Sequence, residues 1–240
     1  MKYLIVNADD FGASRGINQG VIAAHRQGIL TSASLMVTAP WSEEAAGLGH
    51  ASPELSVGLH ADLTSSRARE SADWLSEARD ELGAQFTRFR QLTGYLPTHL
   101  DSHHNLHRDP DLLPLFLELA SEHDLPLREH SGVCYYSKFY GQWGGQTHLE
   151  QISPNHLEHI LRTEIGCGVT ELSCHPGFVD PDFFSSYSME REAELVSLCD
   201  PRVRHTLEEQ NIELISYQEL ARSRSNSDLY SVAEEDRRPG

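Results

Sequence analysis

Short apolar runs alternate with stretches of helical periodicity along most of the chain. The runs are continuous, which is typical of strands that are buried on both faces. They predict strands at Tyr3–Ala8, Ser34–Thr38, Leu55–His60, Leu96–Asp101, Leu125–Arg128, Thr170–Cys174 and Ile212–Ser216. Strands that alternate with helices indicate an α/β protein with a mainly parallel sheet, while periodicity leaves open whether the sheet closes into a barrel.

Apolar positions that recur about every 3.6 residues predict the helices between these strands. We expect helices at Ser14–Gln27, Asp109–His123 and Pro154–Ile165. In each case a serine or aspartate at the start, or just before it, can cap the N-terminus. The polar stretch Ser65–Gln91 is expected to be a further helical segment, and Gly132–Gln151 a long aromatic loop. Loops of that length in compact domains are often functional.

The chain has no internal repeat and no break in composition that would divide it. We therefore expect a single α/β barrel-like domain over residues 1–222. Residues 223–240 are polar and poor in large apolar side chains, which predicts a flexible C-terminal tail.

The charge balance narrows the choice of partners. The chain has 36 acidic and 19 basic residues and a net charge of -17. This argues against a nucleic-acid or anionic-membrane partner, because there is no surplus of cations to neutralise phosphates. No run approaches the roughly 20 apolar residues of a membrane span, and no signal peptide is recognisable. We therefore expect a cytoplasmic protein.

The four cysteines, Cys134, Cys167, Cys174 and Cys199, show no CxxC pairing. They are expected to be reduced thiols that pack as small apolar side chains. Cys174 directly precedes His175, which leaves a cysteine nucleophile as an alternative.

Polar clusters stand at the ends of four predicted strands, where α/β folds build their sites. They are NADDFG, VGLHADLT, THLDSHHNLH and SCHPGFVD. Taken singly, a strand-end histidine is more often a hydrogen-bonding residue, and an aspartate pair is more often a helix cap. Together, an aspartate and several histidines at the ends of parallel strands can converge on one ion and leave positions for water. Such ligands favour zinc, with another transition ion as the alternative and magnesium as a less natural one.

These four motifs, in this order, resemble those of the YdjC-like (ChbG/HpnK) family of carbohydrate deacetylases over residues 1 to about 217. That family is similar in site design to the NodB-type polysaccharide deacetylases. The resemblance implies a distorted (β/α) barrel of about seven parallel strands that holds one divalent metal ion. It also implies hydrolytic removal of acetyl groups from N-acetylated amino sugars or short chitooligosaccharides.

The resemblance assigns roles to five residues of this sequence. Asp10, His60 and His103 would bind the metal. Asp9 would act as the general base and His175 as the general acid.

One position departs from the family pattern. Many relatives carry a histidine where this chain has Asn105, which leaves His107 as a rival to His103 for the third ligand. We favour His103, because Asp101-x-His103 is the tighter unit of the motif.

Four further polar residues are candidates for supporting roles. Asn7 and Asp101 would orient ligands by hydrogen bonding, although a turn cap explains Asp101 equally well. Arg128 would pair with Asp9 or with an acetyl oxygen, and a surface or structural ion pair is the alternative. His99 is expected to support a ligand rather than to be one.

The chemistry of amide hydrolysis requires these parts. An amide carbonyl is a poor electrophile and an amine is a poor leaving group, so a Lewis acid, a base for water and an acid for nitrogen are all needed. Two alternatives use the same residues: a metal-dependent phosphoesterase or amidohydrolase, and a non-catalytic metal- or sugar-binding module. We expect a small carbohydrate as substrate, and a homodimer is the assembly most common among soluble enzymes.

Overall fold

The computed structural model describes residues 1–64 and 72–225. The strands are β1 Lys2–Phe11, β2 Ser32–Leu35, β3 Ser56–Ala61, β4 Leu100–Ser102, β5 Cys134–Tyr136, β6 Gln142–Trp143, β7 Gln146–Thr147, β8 Gly168–Cys174 and β9 Ile212–Leu214. The α-helices are α1 Arg15–Gln27, α2 Ser42–His50, α3 Trp74–Thr93, α4 Leu113–Glu122, α5 Pro154–Thr163, α6 Met189–Leu198, α7 Pro201–Glu209 and α8 Tyr217–Ser225. Two 3₁₀ helices cover His103–Arg108 and Leu149–Ile152.

Within these described ranges, seven parallel strands form one curled sheet in the order β4-β3-β2-β1-β8-β5, with β9 beside the start of β1. Strands β6 and β7 form a separate antiparallel hairpin. The predicted distorted barrel of about seven parallel strands is confirmed.

Strand β1 is the centre of the sheet, since it pairs with β2, β8 and β9. Leu4 and Val6 face the main apolar core under the helices, whereas Ile5 belongs to a second cluster on the opposite face. This alternation follows from the two-residue period of a strand. Asn7 and Asp9 continue the series that Ile5 begins, so they are directed into the barrel.

The serine caps are confirmed. The hydroxyl of Ser14 accepts a hydrogen bond from the Ile17 amide at 3.1 Å, and that of Ser153 accepts one from the His156 amide at 3.3 Å. The first two amides of a helix have no partner inside it, so such caps fix where the helix begins.

Proline explains two predictions that are wrong. Leu125–Arg128 is not a strand but contributes one parallel bridge, between Leu127 and Leu100. Pro126 has no N–H and so cannot extend the ladder. The helix expected from Asp109 begins at Leu113 instead, which places Pro114 in the first turn, where proline is tolerated.

Three more boundaries differ from the prediction. Two strands are displaced or shorter, at Ser32–Leu35 and Leu100–Ser102. Gly132–Gln151 is not wholly a loop, because it contains β5 and the β6–β7 hairpin. Part of the predicted segment Ser65–Gln91, and residues 226–240 of the predicted tail, lie outside the described residues.

Among the helices in the described ranges, none combines the length and the apolar character needed to cross a membrane.

We expect Gly58→Ala to destabilise the fold. A Cβ at Gly58 would lie 2.4 Å from the ring of His99, which is buried and stacked on Tyr217 and so has nowhere to move. Overpacking of this kind costs about 1–3 kcal/mol of unfolding free energy, measurable by urea denaturation.

Gly83→Ala is the matched control, because a Cβ there meets no atom within 4 Å and the residue lies inside helix α3. We expect it to stabilise the protein by about 0.5–1 kcal/mol. Equal effects of the two substitutions would contradict the packing explanation.

Candidate active site

A cavity of about 710 Å³ opens at the carboxyl ends of the strands. Five sequence-predicted residues line it together: Asp9, Asp10, His60, His103 and His175. The carboxyl end of a parallel sheet is where such folds place their sites, so the prediction of a shared site is met geometrically.

A backbone irregularity lets both neighbouring aspartates face this cavity. Consecutive strand residues normally point to opposite faces. Here the register of β1 against β2 shifts between Ala8 and Phe11, and Asp10 has a left-handed φ of 66°. Bulges commonly re-aim side chains beside active sites. The strand therefore ends with Asp9 and Asp10 on the same side.

Asp10, His60 and His103 bring one oxygen and two nitrogens together. The Oδ1 of Asp10 lies 3.1 Å from Nδ1 of His103 and 3.5 Å from Nε2 of His60. The three candidate donor atoms all lie within 4.8 Å of one another. Two imidazoles and one carboxylate form a donor set suited to a divalent ion with open positions.

His60 is fixed by a second carboxylate. Its Nδ1 lies 2.7 Å from Oδ1 of Asp101, and this directs Nε2 towards Asp10. Burial lowers the pKa of His60, but Asp101, Asp9 and Asp10 outweigh burial and raise it to about 10. A histidine held by a buried carboxylate in this way is a common support of metal ligands.

Arg128 binds the carboxylate of Asp9. The two terminal nitrogens of Arg128 donate to Oδ2 and Oδ1 of Asp9 at 2.9 and 2.7 Å, and Asn7 donates to Oδ1 at 2.9 Å. The expected pairing of Arg128 with Asp9 is observed, and the side chain is buried rather than on the surface. The alternative of a structural ion pair is observed as well, with two further carboxylates.

Arg128 also binds two other buried carboxylates. Its Nη2 lies 2.7 Å from Oδ2 of Asp101 and 2.7 Å from Oε1 of Glu171. Burial opposes ionisation of Asp101, but Arg128 and His60 lower its pKa well below the usual range. Burial raises the pKa of Glu171, which Arg128 only partly offsets, and Tyr217 donates to the same carboxylate at 2.6 Å.

The imidazole of His175 lies next to the carboxylate of Asp9 in the cavity. Its Nε2 lies 4.0 Å from Oδ2 of Asp9, and its Nδ1 lies 3.8 Å from Oε1 of the buried Glu194. Burial lowers the pKa of His175, but Glu194 and the two aspartates outweigh burial and raise it. The rings of Tyr140 and Tyr187 each pack edge-on against His175, with centroids 5.6 Å away.

His107 lies away from the three donors. Its Nδ1 is 2.7 Å from the hydroxyl of Ser102, and its Nε2 is 3.2 Å from Glu129. Burial lowers the pKa of His107 to about 4. The geometry therefore brings His103, not His107, next to Asp10.

The remaining residues singled out from the sequence occupy different positions in the structure. His99 contacts Ser34 at 2.9 Å, behind the ligands. Cys174 is buried and its thiol donates to the Asn7 carbonyl, and burial raises its pKa well above the usual value. A thiol in that state is a poor nucleophile. Of the aromatic residues in the predicted loop, Tyr135 and Tyr140 line the cavity.

Helix α6 supplies two site residues that the sequence did not reveal. Arg191 donates to Oδ2 of Asp10 at 2.6 Å, and Glu194 lies beside His175. No strand-end motif marks them, because they enter the site from the side of a helix that was not predicted.

The comparison with known families agrees with these motifs. A family model described as YdjC-like protein matches residues 3–209. A carbohydrate deacetylase of Geobacillus stearothermophilus is 35% identical over 250 residues, which cover 91% of this chain and 98% of the relative.

Two solved structures share the fold. A putative cellobiose-phosphate cleavage protein of Enterococcus faecalis V583 has a TM-score of 0.75 and 29% identity, over 91% of this chain and 98% of that one. A family 4 carbohydrate esterase from Streptomyces lividans, in complex with acetate, has a TM-score of 0.58 and 14% identity, over 90% and 94% of the two chains. The second likeness concerns the fold alone.

We expect His103→Ala to abolish stoichiometric zinc binding and His107→Ala to retain it. Only His103 lies within the three-donor group, and removing one of three ligands costs most of the affinity. Elemental analysis after dialysis against zinc measures the stoichiometry, and thermal melting checks that both variants are folded. Zinc lost from the His107 variant alone would identify His107 as the ligand.

Proposed function

The chain belongs to the YdjC-like family, and we propose that it is a metal-dependent deacetylase that hydrolyses the N-acetyl group of an amino sugar or short chitooligosaccharide. The observation that carries this proposal is the placement of Asp9 and His175, 4.0 Å apart, beside the three-donor group. Amide hydrolysis needs a base for the attacking water and an acid for the leaving nitrogen, and this pair can provide both.

The donor set fits one divalent ion. Asp10, His60 and His103 would hold it, and their two imidazoles favour zinc over magnesium. Bound there, the ion would supply Lewis acidity and lower the pKa of water towards about 7. The hydrogen bond that Nδ1 of His60 donates to Asp101 supports this assignment, because it keeps Nε2 directed at the site.

Asp9 takes the proton of the attacking water. Its Oδ1 already accepts hydrogen bonds from Asn7 and Arg128, whereas Oδ2 accepts one, from Arg128. Oδ2 therefore keeps a lone pair for the proton, and it is the oxygen that faces His175. Arg128 and Asn7 hold the carboxylate in this orientation.

His175 protonates the leaving nitrogen. An amine is expelled readily only after protonation, and the imidazolium of His175 can donate through Nε2. Glu194 beside Nδ1 stabilises the charged ring, consistent with the raised pKa of His175. Asp9 and His175 thus have different surroundings, one held by Arg128 and the other beside Glu194, as the separate roles of base and acid require.

The phosphoesterase alternative has no specific observation in its favour. Phosphate recognition needs unpaired cationic groups. The arginines that line the cavity, Arg108 and Arg191, are each paired with a carboxylate, Glu129 and Asp10 respectively.

The direct test is acetate release from N-acetylglucosamine and its short oligomers by metal-stripped protein, with and without added zinc. Zinc-dependent acetate supports the proposal. Phosphate release from a sugar phosphate, without acetate release, would contradict the deacetylase proposal and support the phosphoesterase alternative.

We expect Asp9→Asn to lower kcat by about 10³-fold while one zinc per chain is retained. The amide cannot accept the proton of water, yet Asp9 lies outside the Asp10, His60 and His103 group. Steady-state acetate release and elemental analysis measure the two effects. Near-normal kcat would remove Asp9 from the role of base.

We expect Glu194→Gln to move the alkaline fall of kcat/KM to lower pH. His175 acts only while protonated, so activity is present below its pKa and is lost as the pH rises through it. Glu194 raises this pKa, so neutralising Glu194 lowers it. The pH profile of kcat/KM is the measurement.

Tyr187→Phe is the matched control, because the Tyr187 hydroxyl donates to Glu194 and its removal keeps the carboxylate. In this variant kcat/KM should fall at nearly the same alkaline pH as in the unmodified protein. If the alkaline fall of kcat/KM does not shift in a folded Glu194→Gln variant, Glu194 does not raise the pKa of His175.

A further inference from the structure

The side chain of Phe184 stands in solvent at the mouth of the cavity. It lines the cavity and is 100% exposed, more than any other large apolar side chain of the described ranges. A single exposed apolar residue is ordinary on a protein surface. At the entrance of a site it has a use, because apolar and aromatic side chains that line a pocket are the ones a ligand covers.

The backbone on both sides of Phe184 is anchored. Phe183 packs against the main apolar core. On the other side, the Ser185 hydroxyl accepts a hydrogen bond from the Tyr187 amide at 3.1 Å, and the buried Tyr187 donates its hydroxyl to Glu194. The exposed ring is therefore held between two anchored neighbours, at a set position on the rim of the cavity.

Three aromatic rings lead from His175 to the entrance. Tyr140 and Tyr187 stack on each other with centroids 4.7 Å apart, and both pack edge-on against His175. Like Phe184, both tyrosines line the cavity. The exposed fraction rises from 6% for Tyr187 to 37% for Tyr140 and 100% for Phe184, so Phe184 is the outermost of the three.

This aromatic side of the cavity is where the sugar lies in the proposed reaction. His175 protonates the leaving nitrogen, so the sugar ring that carries this nitrogen is on the His175 side, beside Tyr140 and Tyr187. A cavity of about 710 Å³ is within the range that holds drug-sized ligands, which are larger than one amino sugar. A second sugar unit linked to the first is thereby directed outward, to Phe184.

The face of a phenyl ring suits that second unit. An aromatic face carries partial negative charge, and the faces of a pyranose ring carry C–H groups with partial positive charge. Stacking also covers the exposed apolar area of Phe184. Neither contribution requires charge on the ligand, which fits a neutral N-acetylated sugar and a chain with a net charge of -17.

We propose that Phe184 stacks on the sugar unit next to the one that is deacetylated, and so makes the protein prefer chitooligosaccharides to the single amino sugar. The inference rests on the proposed function and deepens it, since it selects between the two kinds of substrate named there. In this role Phe184 binds substrate and takes no part in the chemical step.

The test compares acetate release from N-acetylglucosamine, its dimer and its trimer. Phe184→Ala should raise KM for the dimer and trimer about tenfold and leave kcat unchanged, because a stacking contact is equal in the ground state and the transition state. KM for the monomer should stay within about twofold of the unmodified value, since the monomer does not reach Phe184. Phe184→Tyr keeps an aromatic ring and should retain the unmodified KM, whereas Phe184→Leu keeps only an apolar side chain and should not.

Binding is measured separately in the Asp9→Asn background, in which acetate release is lost. Calorimetric titration with the same three sugars should show that Phe184→Ala weakens binding of the dimer and trimer about tenfold and leaves the monomer unaffected. This measurement does not depend on turnover.

Phe178→Ala is the matched control. Phe178 also follows strand β8 and is 43% exposed, but within the described part of the chain it is not one of the cavity-lining residues. KM for all three sugars should equal that of the unmodified protein. Thermal melting reports whether each variant is folded.

The outcomes separate this inference from the proposed function. An unchanged KM in Phe184→Ala, an equal rise for the monomer, or the same rise in Phe178→Ala would each overturn the role of Phe184 and leave the deacetylase standing. An unmodified KM in Phe184→Leu would overturn ring stacking. Weaker dimer binding in Phe184→Ala, without acetate release from any sugar by the unmodified protein, would overturn the deacetylase and leave the sugar contact of Phe184 standing. Unmodified protein that neither binds nor deacetylates these sugars would overturn both.

Discussion

The site depends on one buried arginine that binds three carboxylates. Arg128 is 1% exposed, and a guanidinium in that position is tolerated only if its charge and its donors are matched. Asp9, Asp101 and Glu171 provide the match, at 2.7 Å each from Nη2. Asp9 is the proposed base and Asp101 holds the proposed ligand His60, so a single guanidinium fixes both at once.

This network explains why the barrel interior is polar rather than apolar. Inward positions of such barrels are usually filled by branched apolar side chains. Here Ser34 joins Asn7 to Asp101 with hydrogen bonds of 2.8 and 2.7 Å, and Tyr217 caps Glu171. Removing one member of a buried charge network leaves its partners uncompensated, at a cost of about 3–5 kcal/mol. The same network that positions the proposed catalytic groups is therefore also a condition of stability. A substitution within it is expected to affect the site and the fold together.

Local signals in the sequence predicted much of this arrangement. The apolar runs marked β1, β3 and β8, and the strand ends marked Asp9, His60 and His175, because parallel strands meet at one edge. Sequence could not supply what depends on tertiary packing. The spacing of the motif favoured His103 over His107, but the position of His103 beside Asp10 depends on how the 3₁₀ turn His103–Arg108 folds back. The bulge in β1 likewise depends on its pairing with β2.

Helix α6 shows most clearly that tertiary packing cannot be predicted from local sequence signals. The His-Pro-Gly turn beside it shows why glycines are needed where backbones come close. Arg191 and Glu194 are three residues apart and so share a helix face, and they reach Asp10 and His175 respectively. Gly177 lies between that helix and α1: a Cβ on Gly20 would lie 2.4 Å from the Cα of Gly177. Only a close approach of backbones brings α1, the turn and α6 together. Gly20 is therefore required by packing, and a Cβ at Gly177 itself would lie only 3.2 Å from Cδ of Arg191. Through this packing one helix acts on both the proposed metal ligand and the proposed acid.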